Sequence, residues 1–121
     1  MKLHEHATAR INLIGGHAPG RIQVNGRWLE APFIIAPTLL HEAWISAPEA
    51  LDLQCLAALW PLEPRVLLLG AQHRDAPTIK TLRGELSARQ VALEVMDVGA
   101  ACRTYNVLAQ EDRPVAALLF P

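Results

Sequence analysis

Three short apolar runs dominate the second half of this chain: Val66-Leu67-Leu68-Leu69 closed by Gly70, Val91-Ala92-Leu93-Glu94-Val95, and Val115 to Phe120. A strand with one wet face alternates apolar and polar residues, whereas a strand buried on both faces reads as a continuous apolar run. The segments between the runs carry a different period. Ile79, Leu82 and Leu86 recur at i, i+3 and i+7 with Lys80, Arg83 and Glu85 between them, which predicts an amphipathic helix starting near Pro77. A further helix is expected through "CRTYNVLAQ", Cys102 to Gln110. Upstream, apolar residues at 51, 55, 58, 59 and 62 follow helical spacing and predict a helix from about Leu51 to Trp60. The order from residue 51 is therefore α-β-α-β-α-β, which demands a sheet with helices against its faces.

The first third reads as strands and turns. Asn25-Gly26 suits the positive φ angles of a tight hairpin turn, with Ile22 and Val24 alternating before it and Trp28 after it. "PFIIAP" is a short apolar strand closed by Pro37, and "LLHEAWIS" is a second candidate stopped by Pro48. Proline at such places fits edge strands better than central ones.

The chain holds 121 residues, about one domain by the prior of roughly 100–200 residues. With 51% apolar and only 19% charged residues it has the material for a core and is not a disordered chain. Eleven basic against twelve acidic side chains leave a net charge of −1. Nucleic-acid binding wants a positive surplus to displace counterions, and none exists. The same near-neutrality weakens repulsion between copies, so self-association is compatible with the composition. Cys55 and Cys102 do not make a disulfide framework, and no apolar run reaches the length of a signal peptide or a membrane span. A reducing cytoplasmic setting is the expectation.

In open α/β sheets ligands collect beyond the carboxyl ends of parallel strands. Two loops qualify, "GAQHRDAP" and "MDVGAACRT". If their strands run parallel, both loops open on one edge and bring together His73, Arg74 and Asp75 from the first, and Asp97, Arg103 and Thr104 from the second. A helix beginning near Ala100 aims free N–H groups and a positive dipole end at that edge, where Arg103 can grip a phosphate or carboxylate. The same field would lower the pKa of Cys102. Helix phase argues against that thiol: Arg103, Asn106 and Gln110 form a polar stripe, and Cys102 leans with Ala101, Tyr105 and Leu108 toward the core.

Each of these residues also has a plainer role. Cysteine is commonly a small buried hydrophobe. Arg103 can pair with Asp97 or Glu111 at the surface, Asp75 can cap the helix at Pro77, and Arg113 can close the turn after the last helix on its carbonyls. His4 and His6 could touch one metal, but no third ligand lies at a typical spacing, so no metal or cofactor is expected. "IGGHAPG" lacks the lysine and the spacing of a phosphate loop. Trp28, Trp44 and Trp60 are spread along the chain and read as core or interface residues.

"VLLLG" at 66–70, "LEVMD" at 93–97 and "AACRTYNVLAQEDRPVAALLF" at 100–120, with "VNGRWLEAPFII" at 24–35, resemble a small family of unknown function. It is the domain shared by the mitochondrial complex I assembly factor three, the adipogenesis-associated Mth-domain protein and many short bacterial and archaeal proteins. The resemblance covers most of the chain and implies one domain over 1–121. Its implied architecture is a three-layer α/β fold, a central mixed β-sheet flanked by helices, with an N-terminal β-hairpin portion. It implies no catalytic residues and no cofactor. Two positions depart from the family pattern: Gly70-Ala71-Gln72 stands where relatives often have Gly-Xaa-Gly, and Val98 follows Met96-Asp97 where many have threonine.

These observations set two expectations. The first is a module, more a binder than an enzyme, that docks another protein or its own copies, as in assembly of a larger complex. The second is a binder of a small anionic ligand, or a minor enzyme, at the strand carboxyl edge near Arg103 and His73.

Overall fold

The three apolar runs form the middle and one border of a five-stranded sheet. The computed structural model describes residues 10–121, with strands β1 (Ile14–Ala18), β2 (Arg21–Val24), β3 (Arg27–Leu29), β4 (Phe33–Ala36), β5 (Leu39–His41), β6 (Val66–Gly70), β7 (Ala92–Met96) and β8 (Val115–Leu119). Two helices complete it, α1 (Pro77–Ala88) and α2 (Val98–Gln110). The strand order is β5-β4-β8-β6-β7, with β8, β6 and β7 parallel and β4 and β5 antiparallel to their neighbours. β1, β2 and β3 form a separate antiparallel meander.

Helix placement follows from this order. β6-α1-β7 steps outward along the sheet, and β7-α2-β8 steps back across β6. Crossovers between parallel strands are right-handed, so reversing the step moves the helix to the opposite face. Alternate residues confirm two separate cores. Leu67, Leu69, Ala116 and Leu118 pack under Ile79, Leu82 and Leu86 of α1. Leu68, Ala117 and Leu119 pack under Ala101, Cys102, Tyr105 and Ala109 of α2, with Ile14, Ile22 and Val24 of the meander joining that second core. Helix, mixed sheet and helix make the three layers, and the meander extends the α2 layer.

Several local expectations need correction. The stretch 51–60 is not an α-helix: Leu51 to Leu53 lie outside any helix and Gln54–Leu62 is a 3-10 helix, with a separate 3-10 turn before it at Pro48–Ala50. Pro61 cannot donate an α-helical bond, and the Asp52 carboxylate holds the Cys55 N–H at 2.9 Å. The three-residue pitch selects Leu56 and Leu59 for the core and leaves Cys55 and Ala58 half-buried. β4 is no edge strand: it pairs on both sides and all four residues are buried. "LLHEAWIS" stays extended only to His41, because Ala43 turns into the left-handed region at φ 55°. β7 is the outer strand, with Ala92 and Glu94 exposed where α2 does not reach. Asn25 and Gly26 do make the tight turn, at φ 52° and 80°.

Both helices end alike. After α1, Gln90 at φ 62° lets Val91 N–H reach the Leu86 carbonyl at 2.9 Å; after α2, Asp112 at φ 62° lets Arg113 N–H reach Leu108 at 3.0 Å. These are left-handed caps without glycine. Arg113 therefore closes its turn through its backbone, while its guanidinium lies 3.9 Å from Glu111.

Candidate functional site

The loop after β6 leads to α1 on one face of the sheet and the loop after β7 leads to α2 on the other. Adjacent parallel strands whose loops part in this way leave a crevice at their carboxyl ends, the usual ligand position of such sheets. The protein has a cleft of about 330 Å³ there, bordered by Gln72, Asp97, Val98 and Gly99 and roofed by His17 to Gly20 from the β1–β2 hairpin.

α2 approaches β6 closely because Gly70 has no side chain. A Cβ there would stand 2.7 Å from the Ala101 Cβ and 3.3 Å from the Val98 Cα. Gly99 does the same for the meander: a Cβ on it would meet His17 Nε2 at 2.8 Å and Arg103 Nη1 at 3.3 Å. An imidazole and a guanidinium thus converge over the first turn of α2. Asp97 is the N-cap, and its carboxylate accepts from the Ala100 N–H at 2.8 Å. That carboxylate occupies one of the donors an incoming anion would use and puts negative charge beside it.

Of the residues expected at this edge, Asp97 borders the cleft and Arg103 adjoins it through Gly99. His73, Arg74 and Thr104 are outside its lining. His73 and Arg74 are exposed in the loop that enters the α1 face, and the Arg74 guanidinium turns back to donate to the Ala71 carbonyl at 2.9 Å. Thr104 is half-buried on α2. Asp75 does not cap α1, whose N-cap is Ala76 without a side-chain bond. Arg103 has no carboxylate within 4 Å among the described residues. His4 and His6 lie outside the described residues; among those described, no three His, Cys, Asp or Glu side chains converge on a metal position. Sequence reasoning missed His17 and Gln72, which carry no local signal: only the packing of the hairpin on Gly99 brings His17 to this edge.

Within the block from Cys102 to Asn106, Cys102, Tyr105 and Asn106 serve structure. Cys102 is 2% exposed, and burial pushes its thiol up to about 11, against a small opposing effect of Arg103. Burial likewise raises Cys55 and raises the Tyr105 phenol well above its ordinary value. An activated nucleophile needs the opposite shift. The Tyr105 hydroxyl donates to the Asn12 carbonyl at 2.8 Å, and Asn106 pairs with the backbone of Ile14. Both side chains tie α2 to the segment that leads into the meander. Among the described residues, no helix is long and apolar enough to cross a membrane.

Comparison with known proteins agrees with the fold. The chain is 30% identical over 111 residues to NADH dehydrogenase [ubiquinone] 1 alpha subcomplex assembly factor 3 of Danio rerio, covering 90% of this chain and 64% of that protein. The human protein of the same name is 24% identical over 123 residues, covering 100% and 67%. The chain spans only 54% of the Rattus norvegicus relative. Among solved structures, a Bordetella parapertussis protein superposes with a TM-score of 0.80 at 29% identity, covering 94% of this chain and 98% of that one. A Bordetella pertussis protein described as a Mth938-like domain gives 0.74 at 29% identity, covering 100% and 92%. A family model described as a protein of unknown function, DUF498/DUF598, matches residues 14–120, and the chain belongs to that family.

Proposed function

We propose that this domain is a non-enzymatic protein-binding module that serves assembly of a larger complex, working in the cytoplasm. The observation that carries the reading is the 30% identity, over 90% of the chain, to a protein named as an assembly factor. The chemistry of the chain supports it. The thiol, phenol and amide of its most polar block are buried or bonded to backbone, and the raised thiol values oppose nucleophilic work. The test is affinity capture of the tagged full chain at native expression, combined with sizing of the purified protein. A stoichiometric protein partner, or a defined self-assembly, is the expected result; a monomer that captures nothing would overturn the reading.

A second reading, a small-anion binder at the carboxyl edge, has one favourable observation: the Arg103 guanidinium beside Gly99 and the 330 Å³ cleft. The Asp97 carboxylate works against it. Titration of the labelled protein with inorganic phosphate and with succinate decides between the readings. Amides at 70–76 and 98–105 that do not move would end the anion proposal.

A further inference from the structure

The opposite, amino-terminal edge of the parallel strands carries a second and larger depression. It measures about 490 Å³ and is lined by Trp60, Glu63, Pro64, Arg65, Arg89, Val91 and Pro114. A smaller crevice of about 130 Å³ shares Pro64 and Pro114 with it and adds Leu59, Leu62 and Arg113. The two form one groove. The larger part falls within the roughly 300–1,000 Å³ typical of ligand sites, and the smaller is too small to be more than a side-chain pocket.

Its charge is distinctive. Arg65, Arg89 and Arg113 line the groove against one carboxylate, Glu63, in a chain whose net charge is −1. Among the described residues neither Arg65 nor Arg89 has an acidic partner within 4 Å, and Arg113 only approaches Glu111 at 3.9 Å. The Arg89 guanidinium lies 4.7 Å above the Trp60 ring. Stacking fixes the plane of a guanidinium while leaving its N–H edge free for a bidentate carboxylate. Leu62 is 38% exposed at the other end, an apolar surface that no element of the described residues covers. Unpaired cations beside an uncovered apolar crevice ask for an occupant that carries both carboxylates and an apolar side chain.

We propose that this groove docks an acidic segment of a partner protein, with carboxylates on Arg65 and Arg89 and a neighbouring apolar side chain in the crevice between Leu59, Leu62 and Pro114. The proposal rests on the protein-binding reading above and names its surface. It is independent of the carboxyl-edge cleft, which lies at the other end of β6.

The experiment is an NMR titration of the labelled full chain with a blocked octapeptide alternating Leu and Glu, with its Leu/Gln counterpart, and with citrate. The acidic peptide is expected to move the Trp60 indole and the amides of Arg65, Val91 and Val115. The Leu/Gln peptide, and the double variant R65Q/R89Q, are each expected to lose on the order of tenfold in affinity, the worth of two exposed charge pairs. Both arginines are exposed, so the variant keeps the fold. Equal binding of the two peptides, no shift at these residues, citrate binding as tightly as the peptide, or these amides responding to protein concentration alone would each overturn the proposal. The last two would assign the groove to small carboxylates or to a second copy. If affinity capture retains its partner in R65Q/R89Q, the docking surface falls while the assembly reading stands. If the unmodified chain captures nothing, the assembly reading itself falls.

Discussion

The Asn106 side chain pairs with both backbone groups of Ile14, accepting from its N–H at 2.9 Å and donating to its carbonyl at 2.8 Å. Ile14 opens β1, whose only strand partner among the described residues is β2, so a helix side chain takes up backbone groups on its other edge. The hydroxyl of the adjacent Tyr105 holds Asn12, whose own N–H reaches Pro37 at 2.9 Å and whose amide reaches Ala36 at 3.0 Å. The block that looks most like an active site is thus the clasp between meander, helix and central sheet.

Asn106→Ala leaves the Ile14 groups without their partner and is expected to cost about 1–3 kcal/mol. Tyr105→Phe removes one bond to Asn12 and is expected to cost about 0.5–1.5 kcal/mol. Urea unfolding of both variants measures the two costs. A loss below about 0.5 kcal/mol for Asn106→Ala would show that the clasp contributes little.

Gly70→Ala pushes a methyl group to within 2.7 Å of the Ala101 Cβ and 2.9 Å of Leu119 Cδ2, both in the packed core. Overpacking there is expected to cost about 1–3 kcal/mol and to shift α2 away from β6. Unfolding midpoints, with amide shifts along α2, check it.

Gly84 is exposed within α1 and has no atom within 4 Å of where a Cβ would go. Gly84→Ala should therefore stabilise the protein by about 0.5–1 kcal/mol, because alanine loses less backbone freedom on folding. Gln90→Gly relieves a left-handed side-chain residue at the end of the same helix and is expected to stabilise as well. A lower melting temperature in either variant would contradict this.

Burial holds the folded Cys102 thiol near 11, above its ordinary 9.0. Between those values the unfolded chain has released a proton that the folded chain keeps. The thiol's contribution to stability is therefore intact below pH 9 and is lost as pH rises toward 11. Subtracting the alkaline unfolding curve of Cys102→Ala from that of the unmodified chain should expose this loss. At neutral pH, alkylation of Cys102 should run at the rate of opening of the fold, and rapid labelling of the native protein would refute its inertness.

The periods of the apolar residues already contained most of the architecture. Continuous runs at Val66–Leu69 and Val115–Phe120 must lie in a doubly covered sheet, and the i, i+3, i+7 pattern of Ile79, Leu82 and Leu86 must lie on it, because burial of apolar area dictates both. The turn at Asn25-Gly26 was equally legible, since positive φ has few takers. Leu51 to Trp60 was misread because Ala58 and Cys55 satisfy an α-helical spacing that Pro61 and the Asp52 carboxylate forbid. Which polar side chains meet is a different kind of information. His17 reaches Gly99, Arg89 lies over Trp60, and Asn106 turns from an expected solvent stripe to Ile14, each across a gap in sequence that no local pattern spans. Periodicity encodes which face of an element is buried; the contacts made by the other face depend on where distant elements come to rest.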